Sequence, residues 1–246
     1  MGKSKRRYDM LSWAVRLEGR SLWSENANPG VSVYGESLRK FSGTEYRRWD
    51  PTRSKLAAAI MRTKRNKSLL LPVAGSTILY LGAGHGTSIS HLHDHLCGAD
   101  NDLNGRILAV DLAPRCLRDL THLASARPGL VAILGDARKH SGWGVLMPHQ
   151  VNWLFQDVAQ SGQVEIFIDA CRRFLTVGGL GLLSLKAASE RWTGEGEHVL
   201  FTKVEQQLIE NGFDVEESIK LTGYEDNQCF LWLVVLSSSC PSCQKL

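Results

Sequence analysis

The sequence predicts a doubly wound α/β fold, in which helices cover both faces of a mostly parallel sheet. After Pro72, short apolar runs that lead into glycine or a charged residue recur, with helical segments between them. Continuous apolar strands are typical of parallel sheets that are buried on both sides. The runs span residues 78–81, 106–111, 130–134, 151–155 and 181–185, and two last strands follow at 214–221 and 230–236. We therefore expect a Rossmann-like sheet of seven strands whose final strand is antiparallel.

A small β-rich module precedes this sheet. Residues 13–17 and 20–23 predict two short strands around a tight turn, and the pattern of short strands returns over 31–49. We divide the chain into a β-rich module with a basic, disordered start (1–50), an α/β domain (51–237) and a flexible tail (238–246). Pro51 and the good helix formers after it predict a helix from about residue 51 to 64.

Composition bounds the class of protein. Of the 246 residues, 43% are apolar and 22% charged, which suits a packed core, and the net charge of +4 only weakly favours polyanionic partners. No apolar run approaches the roughly 20 residues of a membrane span, and the start lacks the apolar segment of a signal peptide. We expect a soluble, cytoplasmic protein without a membrane partner. Because zinc needs four ligands, the lone CxxC of Cys240 and Cys243 predicts no metal site.

Candidate functional residues lie where the parallel strands end, because ligands bind outside the carboxyl ends of such sheets. The first strand leads into a glycine-rich loop. Gly82 and Gly84 allow a ligand to approach the backbone closely, while Thr87 and Ser88 offer hydroxyls and can cap the next helix. Many kinds of nucleotide enzyme share such a loop, and a tight turn without a ligand is the alternative.

Three acids and a lysine follow at later strand ends. Asp111 is placed to accept the ribose hydroxyls of a nucleoside, Asp136 to hold an adenine amino group, and Asp157 to stabilise a sulfonium charge. Dinucleotide enzymes seldom need the second acid, so the series favours S-adenosylmethionine, although a helix cap explains any one acid alone. Lys186 ends the fifth strand, and Asp157 is its expected partner because a buried ammonium needs one. A purely structural ion pair is the alternative.

At these residues the sequence resembles the fibrillarin family. The similar segments occur in the family's order and together cover about residues 17–236. They are Tyr46–Ile60, Leu79–Ala83, Gly86–Thr87, Ser90–His91, Arg118–Leu120, Gly135–Arg138, Asp157–Gln160 and Ser184–Ala187. The resemblance implies a class I methyltransferase that uses S-adenosylmethionine to methylate ribose 2′-hydroxyls of rRNA, with tRNA as a second substrate. It implies that box C/D guide RNA selects the nucleotides.

The resemblance also implies site residues and partners. The implied catalytic set is Lys55, Asp157 and Lys186: Lys186 favours the developing alkoxide and accepts the proton if its pKa is depressed, Asp157 orients that lysine, and Lys55 aligns the hydroxyl or its phosphate. The expected cofactor contacts comprise the two loop glycines, Gly82 and Gly84, and the residues that the resemblance implies. These are Thr87, Ser88, Asp111, Leu112, Asp136, Ala137, Asp157, Val158, Ala159 and Gln160. The implied partners are guide RNA, a Nop5-type scaffold protein and an L7Ae-type RNA-binding protein, and a eukaryotic source would imply a nucleolar location.

The chain departs from the family in a few places. Gln228 stands where histidine is usual, and glutamine can form hydrogen bonds but cannot titrate. Asp111 stands where Glu is common, Gly84–His85 replaces Ala-Ser, and the β-rich module is shortened. Two other functions fit the sequence less well. A methyltransferase for small molecules or proteins fits poorly with two lysines in one cleft, which suit a ribose–phosphate, and a non-catalytic ribonucleoprotein subunit fits poorly with an intact catalytic set.

Overall fold

The computed structural model describes residues 8–186, 197–224 and 229–237, which form two β-sheets and five α-helices. The strands are β1 Tyr8–Met10, β2 Val15–Glu18, β3 Ser21–Glu25, β4 Leu38–Phe41, β5 Thr44–Trp49, β6 Thr77–Leu81, β7 Arg106–Asp111, β8 Leu130–Leu134, β9 Val151–Gln156, β10 Leu175–Lys186, β11 Phe213–Lys220 and β12 Cys229–Leu236. The helices are α1 Lys55–Arg62, α2 Thr87–Cys97, α3 Pro114–Ser125, α4 Gln163–Phe174 and α5 Glu197–Glu210.

The larger sheet has seven strands in the order β11-β12-β10-β9-β6-β7-β8. Strands β8, β7, β6, β9 and β10 are parallel, and β12 is antiparallel to both of its neighbours. The predicted α/β fold class and the antiparallel last strand are therefore confirmed. Strand β10 starts earlier than its apolar run suggests, and its register against β9 is irregular between Leu175 and Leu180.

Helices cover both faces of this sheet, because successive strand residues point to opposite sides. Ile78 and Tyr80 of β6 pack in a core that includes residues of α1, α2 and the N-terminal sheet, whereas Leu79 and Leu81 pack in a core with residues of α4 and α5. Each fully buried side chain of this kind contributes about 1.5–3 kcal/mol. Because these five strands pair in parallel, their carboxyl ends lie along one edge of the buried sheet.

The N-terminal residues form a five-stranded antiparallel sheet in the order β1-β2-β3-β5-β4. It includes the two strands expected around Gly19 and an additional edge strand, β1. The sheet is fixed against α2 by a buried ion pair, in which Arg47 donates to Asp94 at 2.9 and 2.7 Å and also contacts Glu36. Losing one partner of a buried pair costs about 3–5 kcal/mol, so this contact holds the sheet in place firmly.

The predicted helix over residues 51–64 is shorter than expected. A side-chain turn occupies its first residues, because Asp50 Oδ1 accepts the backbone N–H of Thr52 at 2.9 Å. Ser54 is the N-cap, and its Oγ accepts the backbone N–H of Ala57 at 3.2 Å. This side-chain bond satisfies a backbone amide of the first turn that has no partner within the helix, so α1 begins at Lys55.

Three sequence predictions fall on other parts of the chain. Gln228, the CxxC of Cys240 and Cys243, and the predicted basic start and tail lie outside the described residues. Within the described ranges, no helix combines the length and the apolar composition that crossing a bilayer requires. No group of metal-binding side chains is found in those ranges either.

Candidate functional site

A cavity of about 500 Å³ lies at the carboxyl ends of the parallel strands. Its lining residues are Lys55, Gly82, Gly84, Val110, Asp111, Leu112, Ala113, Gly135, Ala137, Asp157, Val158, Ala159, Gln160 and Lys186. Eleven of these are residues expected from the sequence. Val110, Ala113 and Gly135 were missed because small and apolar residues carry no chemical signal. Their positions beside the candidate acids could have indicated them.

Three predicted cofactor residues lie elsewhere. Thr87 lines a neighbouring groove, Asp136 is absent from the lining, and Ser88 is buried, with its Oγ 2.8 Å from Ser54 Oγ. The expected capping by Thr87 or Ser88 is wrong, because Gly86 is the N-cap of α2 and forms no side-chain bond. Gly86 has a φ of 89°, in the left-handed region that glycine adopts readily.

Gly82 allows two strand ends to meet. It has a φ of +78°, and a Cβ there would lie 2.6 Å from the carbonyl carbon of Asp157 and 3.0 Å from Val158 N. Gly84 is different, because a Cβ at that position would have no neighbour within 4 Å. One glycine is thus required by close packing, and the other leaves bare backbone facing open space.

Asp111 ties the glycine-rich loop to the start of α3. Its Oδ2 accepts the backbone N–H of Gly84 at 2.7 Å, and its Oδ1 accepts that of Ala113 at 2.8 Å. A carboxylate offers about four lone-pair positions, so two such bonds leave capacity for further donors. The side chain therefore shapes the cavity wall and can still accept hydroxyl groups.

Asp136 acts on the cavity through Gln160. The Arg138 guanidinium forms paired hydrogen bonds with Asp136 and holds the pKa of that carboxyl well below its usual range. Gln160 Nε2 donates to Asp136 Oδ1 at 3.1 Å. The other amide atom, Gln160 Oε1, is buried and has no hydrogen-bond partner among the described residues. An unsatisfied acceptor on a cavity-lining residue indicates a position for a ligand donor.

Asp157 pairs with Lys55. The ammonium of this lysine, whose side chain is 8% exposed, donates to Asp157 Oδ1. The expected pair of Asp157 with Lys186 is wrong, and no ion pair of Lys186 occurs in the described ranges. The reason is the start of α1 at Lys55, which brings that side chain to the end of β9. Both lysines line the same cavity.

A buried chain of hydroxyl groups positions Lys55. Ser54 Oγ accepts the indole N–H of Trp49 at 3.0 Å and the N–H of Ala57, so its own proton is donated to Ser88. Burial also raises the pKa of Tyr80, which lies on β6. Ser54 was missed from the sequence, although a serine before a run of helix formers is an N-cap signal.

The Fibrillarin profile matches residues 3–236. The chain belongs to the fibrillarin family. A fibrillarin-like rRNA/tRNA 2′-O-methyltransferase from Thermococcus gammatolerans is 43% identical to this fibrillarin-family chain over 203 residues, which are 82% of the chain and 84% of the relative. The predicted resemblance is therefore confirmed.

Two crystal structures are similar to this family member. Aeropyrum pernix fibrillarin in complex with natively bound S-adenosyl-L-methionine is 33% identical, with a TM-score of 0.76 over 90% of this chain and 93% of that one. A fibrillarin/Nop5p complex contains a chain that is 30% identical, with a TM-score of 0.75 over 91% of this chain and 97% of that one.

Proposed function

We propose that this fibrillarin-family chain transfers a methyl group from S-adenosylmethionine to ribose 2′-hydroxyls of rRNA and tRNA. The observation that carries the proposal is the Lys55–Asp157 pair, which shares one cavity with Lys186, Asp111 and Gln160. The name of the Thermococcus gammatolerans relative, a 2′-O-methyltransferase, supports the reaction.

The cavity residues fit S-adenosylmethionine. Gly84 presents open backbone, Asp111 keeps unused acceptor capacity, and Gln160 Oε1 is an unsatisfied acceptor for a donor such as an adenine amino group. The acidic groups also suit a cationic ligand. When bound, this cofactor supplies an electrophilic methyl group carried on a sulfonium. The Aeropyrum pernix structure with its bound S-adenosyl-L-methionine supports the same choice.

The two lysines and the aspartate act on the ribose hydroxyl. A 2′-oxygen becomes more negative as it attacks, and the Lys186 ammonium stabilises that charge. Lys55 holds Asp157 through Oδ1, which leaves Oδ2, unpaired within the described residues, to accept the hydroxyl proton. A carboxylate held by a lysine is fixed before the substrate arrives, and this positioning lowers the barrier further.

Box C/D guide RNA, a Nop5-type scaffold protein and an L7Ae-type RNA-binding protein are the proposed partners, in the cytoplasm of an archaeal cell. The fibrillarin/Nop5p complex formed by a relative supports the scaffold protein. The net charge of only +4 and the lack of a recognisable RNA-reading motif support selection by base pairing. We expect the isolated chain to bind the cofactor but to methylate bare RNA poorly.

Transfer of tritiated methyl groups by the reconstituted particle tests the function. Asp157→Ala and Lys186→Ala should each lower kcat by about 10²–10³-fold, the size expected when an electrostatic group of the transition state is removed. Lys64→Ala removes an exposed lysine outside the cavity and should leave the rate unchanged. Undiminished transfer by both cavity variants would show that the chain is a non-catalytic subunit or uses another mechanism.

A further inference from the structure

A groove of about 690 Å³ adjoins the candidate site. The loop over residues 28–34 contributes one wall, and α3 contributes the other with Arg118 and His122. Arg53 and His85 also line it. The chemistry assigned to the cavity uses none of these residues, so the groove needs a separate explanation.

The groove and the cavity are bordered by the same two segments of chain. In the first segment Lys55 lines the cavity and Arg53 the groove, with the buried Ser54 between them. In the second, Gly84 lines the cavity and the next residue, His85, lines the groove. Two residues of chain span at most roughly 7 Å, so the two concavities lie side by side. A long RNA substrate with one ribose at Lys55 would therefore place its neighbouring nucleotides in the groove.

Arg53 presents a fixed positive charge in the groove. Its Nη1 donates to the backbone oxygen of Tyr34 at 3.2 Å, and its guanidinium lies 4.8 Å from the centre of the Tyr34 ring. Arg53 forms no ion pair with any residue that the structure describes. Because a guanidinium carries five N–H donors, most of them are left to bind an anion.

Arg118 adds a second positive charge on the opposite wall. Its side chain is 78% exposed, and its Nε lies 3.3 Å from Asp119 Oδ1. Asp119 also pairs with His85 at 2.6 Å, so one carboxylate is shared between a guanidinium and an imidazole. The exposed charges of the groove, Arg53, Arg118 and Asp119, thus sum to a positive value.

We propose that this groove binds the sugar–phosphate backbone of the substrate RNA next to the methylated nucleotide. Arg53 and Arg118 contact its phosphates. The inference rests on the proposed function and deepens it. Phosphate contacts fix the position of a strand without reading its sequence, which is the contribution a protein makes when base pairing selects the nucleotide.

The lining favours RNA over a protein partner. Protein interfaces bury aromatic and apolar anchors at their centre. Here the one aromatic residue of the lining, Tyr34, is covered by Arg53, and its hydroxyl donates to the backbone oxygen of Arg48 at 3.0 Å. The lining also contains Val31, Val33, Leu123 and Ala126, but its exposed charged groups, Arg53 and Arg118 on opposite walls, match a polyanion.

Kinetics of the reconstituted particle test the groove. Arg53→Ala combined with Arg118→Ala should lower kcat/KM for substrate RNA about tenfold and reduce the slope of log kcat/KM against log salt by about 1.4–1.8, at about 0.7–0.9 per phosphate contact. The Kd for S-adenosylmethionine should not change. Arg115→Ala is the matched control, because Arg115 is exposed on the same helix outside the groove. Replacing both arginines with lysine, which keeps the positive charges, should restore most of kcat/KM for substrate RNA and of its salt slope.

Photo-crosslinking supplies an independent measurement. Substrate RNA with 4-thiouridine one or two nucleotides from the target should crosslink to peptides that contain residues 28–34 or 118–127. Crosslinks found only elsewhere, or a double variant with the wild-type salt slope, would overturn the proposal. The proposal would also be overturned if the only defect of the double variant were that it no longer binds the scaffold protein. If the wild-type particle transfers no methyl group, the proposed function itself fails, which is a different outcome.

Discussion

The hydroxyl oxygens of Ser54 and Ser88 lie 2.8 Å apart in the interior, and this hydrogen bond joins the start of α1 to the first turn of α2. Lys55, the first residue of α1, follows Ser54 directly and pairs with Asp157. The position of the lysine in the cavity therefore depends on a serine that does not touch the cavity.

Removing the Ser54 hydroxyl should slow the reaction. We expect Ser54→Ala to lower stability by about 1–2 kcal/mol, as the loss of an N-cap does. Its kcat should also fall about tenfold, because small misplacements of reacting groups are costly. Ser54→Thr keeps the hydroxyl and should restore kcat. Ser90→Ala removes a buried hydroxyl of α2 that bonds Thr87 O at 2.9 Å, and it should lower stability without the loss of kcat. Equal kcat in both alanine variants would contradict the positioning role.

Gln160 should determine cofactor affinity. Gln160→Leu removes the unsatisfied Oε1, and we expect the Kd for S-adenosylmethionine, measured by calorimetry, to rise about tenfold, as for the loss of one hydrogen bond of about 1.4 kcal/mol. Gln206→Leu changes an exposed glutamine of α5 whose amide bonds Glu210 at 2.8 Å, and it should bind normally. A wild-type Kd for Gln160→Leu would remove the assigned ligand contact.

Gly82 should not tolerate a side chain. Gly82→Ala places a Cβ against the Asp157 backbone at a φ of +78°, so the free energy of unfolding should fall by about 2 kcal/mol or more. Chemical denaturation measures this loss. Gly142→Ala is the control, since a Cβ there has no neighbour within 4 Å, and its effect should stay within about 0.5 kcal/mol. Equal stability of the two variants would show that the strand ends can separate freely.

Acid should destabilise the protein through buried histidines. Burial holds the pKa of His91 well below its usual value of 6.5, and its ring nitrogens bond Ser24 at 2.6 Å and Tyr34 at 2.7 Å. Below pH 6.5 the unfolded chain takes up a proton that the folded chain refuses, so the free energy of unfolding falls as pH falls. The loss is at most about 1.4 kcal/mol per pH unit for one residue, and it continues until the folded pKa is reached.

Denaturation between about pH 7 and about pH 5 measures this dependence. Burial also lowers the pKa of His93 and His95, and the three effects add. His91→Gln, which can still form hydrogen bonds but does not titrate, should make the dependence less steep. His149→Gln, at an exposed position, should keep the wild-type slope. A His91→Gln slope equal to that of the wild type would show that this histidine titrates normally.

The sequence by itself determined the fold class, the segments that form the central strands and the edge at which the site lies. An apolar run can be recognised from a short stretch of sequence, and it must be buried whatever the rest of the chain does. Strands β7 and β8 accordingly begin and end where their apolar runs do. The same logic located Asp111 and Asp157, because residues that follow parallel strands meet at one edge.

Only the tertiary structure decided how those side chains are paired. Asp157 contacts Lys55, which is 102 positions away in sequence, instead of Lys186, and Ser88 bonds Ser54 and not a ligand. Which donor reaches a carboxylate depends on where an element begins and how it packs, to within an ångström or two. Sequence patterns carry no such distances. The groove beside the cavity has the same origin, because it exists only where a loop of the N-terminal module lies opposite α3.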